Sequence, residues 1–191
     1  MILPISSLRT QRGTSLLEVL VTIIILAIGL LGLAGLQTRL QSSEMESYQR
    51  TQALIMLDDM ASRIATNRTN AASYVTGAAT PLGGTAACPT TTATQQQTDA
   101  GEWCNALKGA GETLGGNDVG AMVGGRGCVE SIGSDQYLIT VAWQGMTPIS
   151  APPDSVACGQ DLYNGAAGSA CTDDLCRRTV TTIVRIGDLE S

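Results

Sequence analysis

One carboxylate stands almost alone inside an apolar run. Between Leu16 and Leu36 the only polar side chains are Glu18 and Thr22. An acid at the middle of a membrane helix is penalised by roughly 2.5 to 3.5 kcal/mol, and less near the end of the span, where Glu18 sits. Such a group needs a partner, and an α-amine, which ordinarily titrates near about pH 8, is a suitable one. A cut between Gly13 and Thr14 would supply it, leaving Glu18 as the fifth residue of the new chain.

The remaining reactive residues point away from catalysis. The chain has no histidine, which excludes Ser-His-Asp and Cys-His nucleophilic machinery. Its six cysteines, Cys88, Cys104, Cys128, Cys158, Cys171 and Cys176, form no C-x-x-C pair, so a zinc site is poorly supported. They fit disulfides in an oxidising compartment instead. Six cysteines allow fifteen pairings; the working expectation is Cys88 with Cys104, Cys158 with Cys176, and Cys128 with Cys171. Asp173-Asp174 and Asp99/Glu102 resemble paired carboxylates or a calcium site, but neither fits an EF-hand loop, and solvated surface acids are the simpler reading. The glycine-rich stretch from Gly109 to Gly127 lacks the G-x-x-x-x-G-K-[ST] of a phosphate-binding loop and reads as a surface connection. Asn67-Arg68-Thr69 matches a glycosylation sequon by its three letters alone. No metal or cofactor is implied.

These residues need elements to hold them. The run from Leu16 to Leu36 is long enough to span a bilayer as one helix, at about 1.5 Å per residue. It exceeds the ~7 to 15 residues of a secretory signal core and, unlike one, contains a glutamate. Arg9 and Arg12 precede it, so the positive-inside tendency leaves residues 1–13 in the cytoplasm and everything after Leu36 outside it. Gly29, Gly32 and Gly35 are either flexible points or a small-residue packing face. No Gly or Pro falls between Gln37 and Asn67, so the helix is expected to continue to about Thr66. Glu46 with Arg50 and Asp59 with Arg63 have the favourable i, i+4 order. Ala53, Met56, Leu57, Met60, Ala61, Ile64 and Ala65 form a stripe that must bury against something.

Residues 76–101, rich in Thr, Ala, Gly and Gln, read as loop, and Glu102 to Leu107 as a short helix carrying a buried Trp103. Alternation predicts strands at Gly127 to Ile132, Gln136 to Gln144 and Arg178 to Ile186, with a hairpin turn at Gly133-Ser134-Asp135. Pro148 to Cys176 is a long irregular excursion. Formal charge is −6, and loss of the leader's two arginines makes the remainder more acidic still. Such a chain is a poor nucleic-acid binder by bulk electrostatics, and no nucleic-acid partner is expected.

The leader with Arg9 and Arg12, the Gly at the cut, Glu18 five residues beyond it and the unbroken apolar helix closely resemble the class III signal of type IV pilins and pseudopilins. Thr14 departs from the Phe or Met common at that position, and the span lacks the proline of many major pilins. The resemblance implies cleavage after Gly13 by a prepilin peptidase, N-methylation of Thr14, and pairing of Glu18 with a neighbouring subunit's N-terminal amine. It further implies an α+β fold, a long N-terminal helix packed on a small antiparallel sheet with disulfide-rich loops. The parts are a leader (1–13), a transmembrane and assembly helix (14–36), its amphipathic continuation (37–66) and a periplasmic globular head (67–191). The Gly29 to Gln37 stretch, the Leu57 to Arg63 pattern with Asn67, Trp103 and the Val141-Ala142-Trp143 strand resemble PilV-type minor pilins.

That resemblance implies a non-enzymatic minor pilin of the bacterial inner membrane, single-pass, which helps initiate a type IV pilus. Its partners would be other minor pilins, the major pilin, the prepilin peptidase, the inner-membrane assembly platform and membrane lipid. A minor pseudopilin of type II secretion is the nearest alternative, though such members are often poorer in cysteine. An adhesive module whose Pro148 to Cys176 loop contacts a surface is a third reading.

Overall fold

The structure is a computed structural model that describes residues 15–187 apart from 112, 116, 119 and 121; Gly13 and Thr14 lie outside the described residues. Two compact units, Met1–Ser43 and Glu44–Ser191, are distinguished by their internal contacts. One helix, α1 (Leu16–Thr66), has residues in both.

In the second unit the elements after α1 are a 3-10 segment (Arg68–Tyr74), β1 (Leu82–Gly83), α2 (Gln95–Leu107), β2 (Thr113–Leu114), β3 (Asn117–Asp118), β4 (Arg126–Gly133), β5 (Gln136–Gln144) and β6 (Arg177–Arg185). β1, β4, β5 and β6 form an antiparallel sheet in that order, and β2 pairs with β3 in a separate ribbon. The fold is α+β and pilin-like, as the sequence implies.

Alternation along the strands assigns the two faces of the sheet. Val129, Ile139, Val141 and Trp143 join Ala53, Leu57, Met60 and Ile64 of α1, with Trp103 and Leu107 of α2, in one buried core. Val180 and Val184 extend that face onto β6. Met56 and Ala61 are only partly covered, and Ala65 is exposed. Gln49 is buried in line with the stripe, one turn before Ala53.

Trp103 is the keystone of this core. Its ring is fully buried and its indole Nε1 donates to the Met56 carbonyl at 2.9 Å. The ring lies so close to β4 that a methyl carbon on Gly127 would fall 2.1 Å from Trp103 Cη2. Gly127 is therefore part of the core, and the glycine-rich stretch that ends with it is more than a surface connection.

The opposite face of β4 and β5 carries Cys128 and Thr140, Cα partners across the ladder. The 145–176 excursion covers them. Cys158 Sγ stands 3.9 Å from the Thr140 carbonyl oxygen, and Arg177 is buried with Nη1 donating to the carbonyls of Val156 and Cys158 at 2.6 and 3.1 Å. This geometry corrects two of the three expected disulfides. The bonds are Cys88–Cys104, Cys128–Cys158 and Cys171–Cys176, not Cys128–Cys171 and Cys158–Cys176. The excursion folds back over the sheet at Cys158, which presents that residue to Cys128. Cys171 and Cys176 close a tight turn, with Leu175 N–H donating to the Thr172 carbonyl at 2.9 Å.

Other expectations are also revised. α2 begins at Gln95, not Glu102, because Thr94 caps it: the hydroxyl accepts from Gln97 N–H at 3.3 Å, a device hidden in a Thr- and Gln-rich tract. Glu46 pairs with Arg178 at 2.8 Å rather than with Arg50. Asp174 is buried and pairs with Arg177 at 3.0 Å, so only Asp173 of that acidic pair is solvated.

Candidate functional site

Two groupings of polar residues have the geometry to act: the first turn of α1, and a clamp around Arg63.

Ser15 opens α1. Its hydroxyl accepts from Leu17 N–H at 3.2 Å, and its carbonyl accepts from Glu18 N–H at 2.9 Å. The spacing Ser15-x-x-Glu18 is that of a capping box, a local signal that lies in the sequence beside the apolar run. Glu18 thus sits in the first helical turn, where the helix dipole favours an anion. Among the described residues its carboxylate has no hydrogen bond or ion pair. The Thr22 hydroxyl donates to the Val19 carbonyl at 2.9 Å, so it is satisfied within its own helix. Among the described residues Glu18 is left as the one polar side chain of the run with no partner of its own.

Every residue from Leu16 to Leu36 is exposed. The helix is long and apolar enough, by length and composition, to cross a membrane. It passes through Gly29, Gly32 and Gly35 without a break, and a Cβ at any of the three would meet nothing within 4 Å in this chain. Further along, Tyr48, Leu54 and Ile55 are also exposed. So much uncovered apolar surface is stable only against lipid or other helices.

The second grouping absorbs the acids Asp99 and Glu102. Arg63 Nη1 donates to Asp99 at 2.8 Å and to Glu102 at 2.7 Å, and its Nε donates to Asp59 at 3.0 Å. Tyr74 donates its hydroxyl proton to Asp99, which also accepts from Gln95 at 2.9 Å. Burial disfavours the Arg63 cation, but its bonds to Glu102, Asp59 and Asp99 outweigh this and hold its pKa above the ordinary arginine value. Burial likewise tends to raise the Asp99 carboxyl, while Tyr74, Gln95 and Arg63 together bring it below the ordinary carboxylate range. Burial, reinforced by the bond to Asp99, pushes the Tyr74 phenol up to about 12. The reading of Asp99 as a solvated surface acid is corrected, because the carboxylate is buried and fully engaged. An acid already neutralised by an arginine ties α2 and the 3-10 segment to α1 and has no proton to trade near neutral pH. Asn67 is engaged there too, its amide donating to the Tyr74 oxygen at 3.0 Å.

The first turn of α1 is therefore the site that remains open to a partner. The family model described as the prokaryotic N-terminal methylation motif matches residues 8–34, which takes in Arg9, Arg12, Gly13, Thr14, Glu18 and most of the apolar run. Over those residues the chain is similar to type IV pilins. No curated protein and no solved structure matches it. The chain thus combines a methylation motif, an exposed apolar helix and a compact α+β unit crosslinked by three disulfides. Proteins with this motif are in general structural.

Proposed function

We propose that the chain is a minor pilin, of PilV type, that takes part in initiating a type IV pilus from the bacterial inner membrane. The observation that carries this reading is Glu18, partnerless among the described residues in the first turn of an exposed apolar helix inside the methylation motif. Prepilin peptidase cuts between Gly13 and Thr14 and methylates Thr14. The mature chain then runs as an assembly helix (14–36), its continuation (37–66) and a periplasmic head (67–191). In the membrane the new amine of one subunit and Glu18 of another neutralise each other, so each subunit relieves the cost of a lone carboxylate in lipid by joining the array. Other minor pilins and the major pilin are the partners in that array, and the inner-membrane platform is where it starts. Three disulfides favour this over a secretion pseudopilin, a class often poorer in cysteine.

Intact-mass and N-terminal peptide mass spectrometry of the protein from native membranes tests the processing. The expected result is a chain beginning at Thr14 with one methyl group; an uncut Met1, or a terminus beyond Leu36, overturns it. Deletion with electron microscopy then tests the role. Loss of surface pili supports initiation, intact pili with impaired secretion indicate a type II pseudopilin, and intact pili with impaired attachment indicate an adhesive module.

A further inference from the structure

β6 is an edge strand whose middle carries none of the usual protections. It is nine residues long, lies at the end of the sheet and pairs with β5 from Gln136↔Arg185 to Gln144↔Arg177 without a register shift. Residues 179–184, Thr-Val-Thr-Thr-Ile-Val, contain no charge, proline or glycine. Sheet edges are ordinarily blunted by charges, prolines, bulges or short length, because an open edge recruits other strands. By contrast, the ladder between β4 and β5 does carry a shift, between Ser131 and Gly133. Among the described residues no backbone group from 178 to 185 bonds to anything beyond the β5 ladder.

The surroundings specify what would cover it. The uncharged run is bracketed by arginines in a chain of net charge −6. Arg185 is exposed on the outer face at one end, and Arg50 of α1 stands on the helix face at the other, neither ion-paired among the described residues. Arg50, Arg178 and Thr179 line a cleft of about 320 Å³ together with Glu46, Trp143 and Ile149. Trp143 is buried, and its indole N–H has no acceptor among the described residues. The cleft and the strand share Arg178 and Thr179, so they form one continuous surface. A second copy of β6 is a poor occupant, because residues 177–185 contain no acid to meet Arg50 or Arg185.

We propose that β6 is a docking edge for an extended strand of a different protein subunit, one bearing acidic residues about seven positions apart. One acid meets Arg185 on the outer face. The other enters the cleft at Arg50, beside the Arg178–Glu46 pair. The seven-residue interval places the two acids on opposite faces of the added strand, as the alternation of a strand requires. Backbone pairing supplies affinity and the two acids supply register. This surface lies outside the N-terminal motif, and its test is independent of the role proposed for that motif.

The probe is a blocked peptide, Glu-Val-Thr-Val-Thr-Val-Thr-Glu, titrated against the full-length protein in detergent. Binding is followed by tryptophan fluorescence and by backbone hydrogen exchange. Expected are saturable binding that weakens with salt and new protection confined to residues 178–185. Arg185→Glu weakens binding roughly fivefold, since an exposed pair is replaced by a repulsion. A peptide with lysine in place of both glutamates binds the natural protein poorly and the Arg50→Glu, Arg185→Glu double variant well. Both positions are exposed, so the fold is retained. The proposal is overturned if no saturable binding occurs, if protection falls elsewhere, if the lysine peptide binds the natural protein equally, or if β6 becomes protected with rising protein concentration in the absence of peptide. That last outcome would make a second copy the occupant.

Discussion

Replacing Gly127 with alanine gives a test in which even the sign of the effect is informative. In a strand interior glycine is ordinarily the worse residue, so alanine should stabilise by roughly 0.5–1 kcal/mol. Here the added carbon would meet three ring atoms of Trp103, Cη2 at 2.1 Å, Cζ3 at 2.5 Å and Cζ2 at 2.7 Å, whereas carbon atoms rest at about 3.5–4.0 Å. The ring has little room to retreat, being fully buried and tied through Nε1 to the Met56 carbonyl. Overpacking of this kind costs about 1–3 kcal/mol. At about 2–4 °C per kcal/mol for a chain of this size, melting should fall by roughly 2–12 °C. The assay is thermal unfolding of the full chain in detergent with disulfides intact, followed by tryptophan fluorescence. Trp103→Phe provides the control: the smaller ring vacates the contested space, and in that background Gly127→Ala should raise the melting temperature. A rise in the natural background, or equal falls in both, would refute the placement of Trp103 against β4.

Two further predictions concern the crosslinks and the Arg63 clamp. Cys128–Cys158 closes a separation of 30 residues and Cys171–Cys176 one of 5, so chain entropy assigns them about 3.6 and about 2 kcal/mol; unfolding of the paired serine variants should rank them in that order, and non-reducing peptide mapping should recover these linkages. Because the folded Asp99 carboxyl titrates below its ordinary value, its contribution is fully present above about pH 4, the unfolded value, and is lost as the pH falls through the folded one; melting recorded from pH 7 to pH 2 should show an acid limb that Asp99→Asn diminishes.

The long-range periodicities were legible in the sequence, and the local devices were not. The end of α1 at Thr66, the strand Gln136–Gln144 and the hairpin turn at Asp135 follow from spacing and composition, because an amphipathic face must be buried somewhere. The start of α2 was missed since a single threonine cap outweighs the polar tract that follows it. Pairing of Cys128 with Cys158 depends on where a 30-residue excursion returns to the sheet, information that no spacing rule contains. Glu46 was assigned to Arg50 from helix geometry alone; Arg178 displaces that partner because β6 lies beside α1, 132 residues later in the chain. In the first turn of α1, Glu18 stands out by its chemistry, whereas the Ser15 cap that opens the same turn is one hydroxyl among many polar residues.

None of the three disulfides includes a residue of α1. Within the Glu44–Ser191 unit, α1 is held by its buried stripe and by side-chain ties at Glu46, Met56 and Arg63. These ties are spaced along the axis by ten and seven residues, about 15 and 10 Å of helix. A pull along that axis would load them together, in shear, instead of opening them one at a time as peeling would. Mechanical resistance would then rest on the simultaneous failure of several weak contacts. A reducing environment would slacken the excursion and the segment before α2 that the disulfides tie down, while leaving the resistance of that joint to tension largely intact.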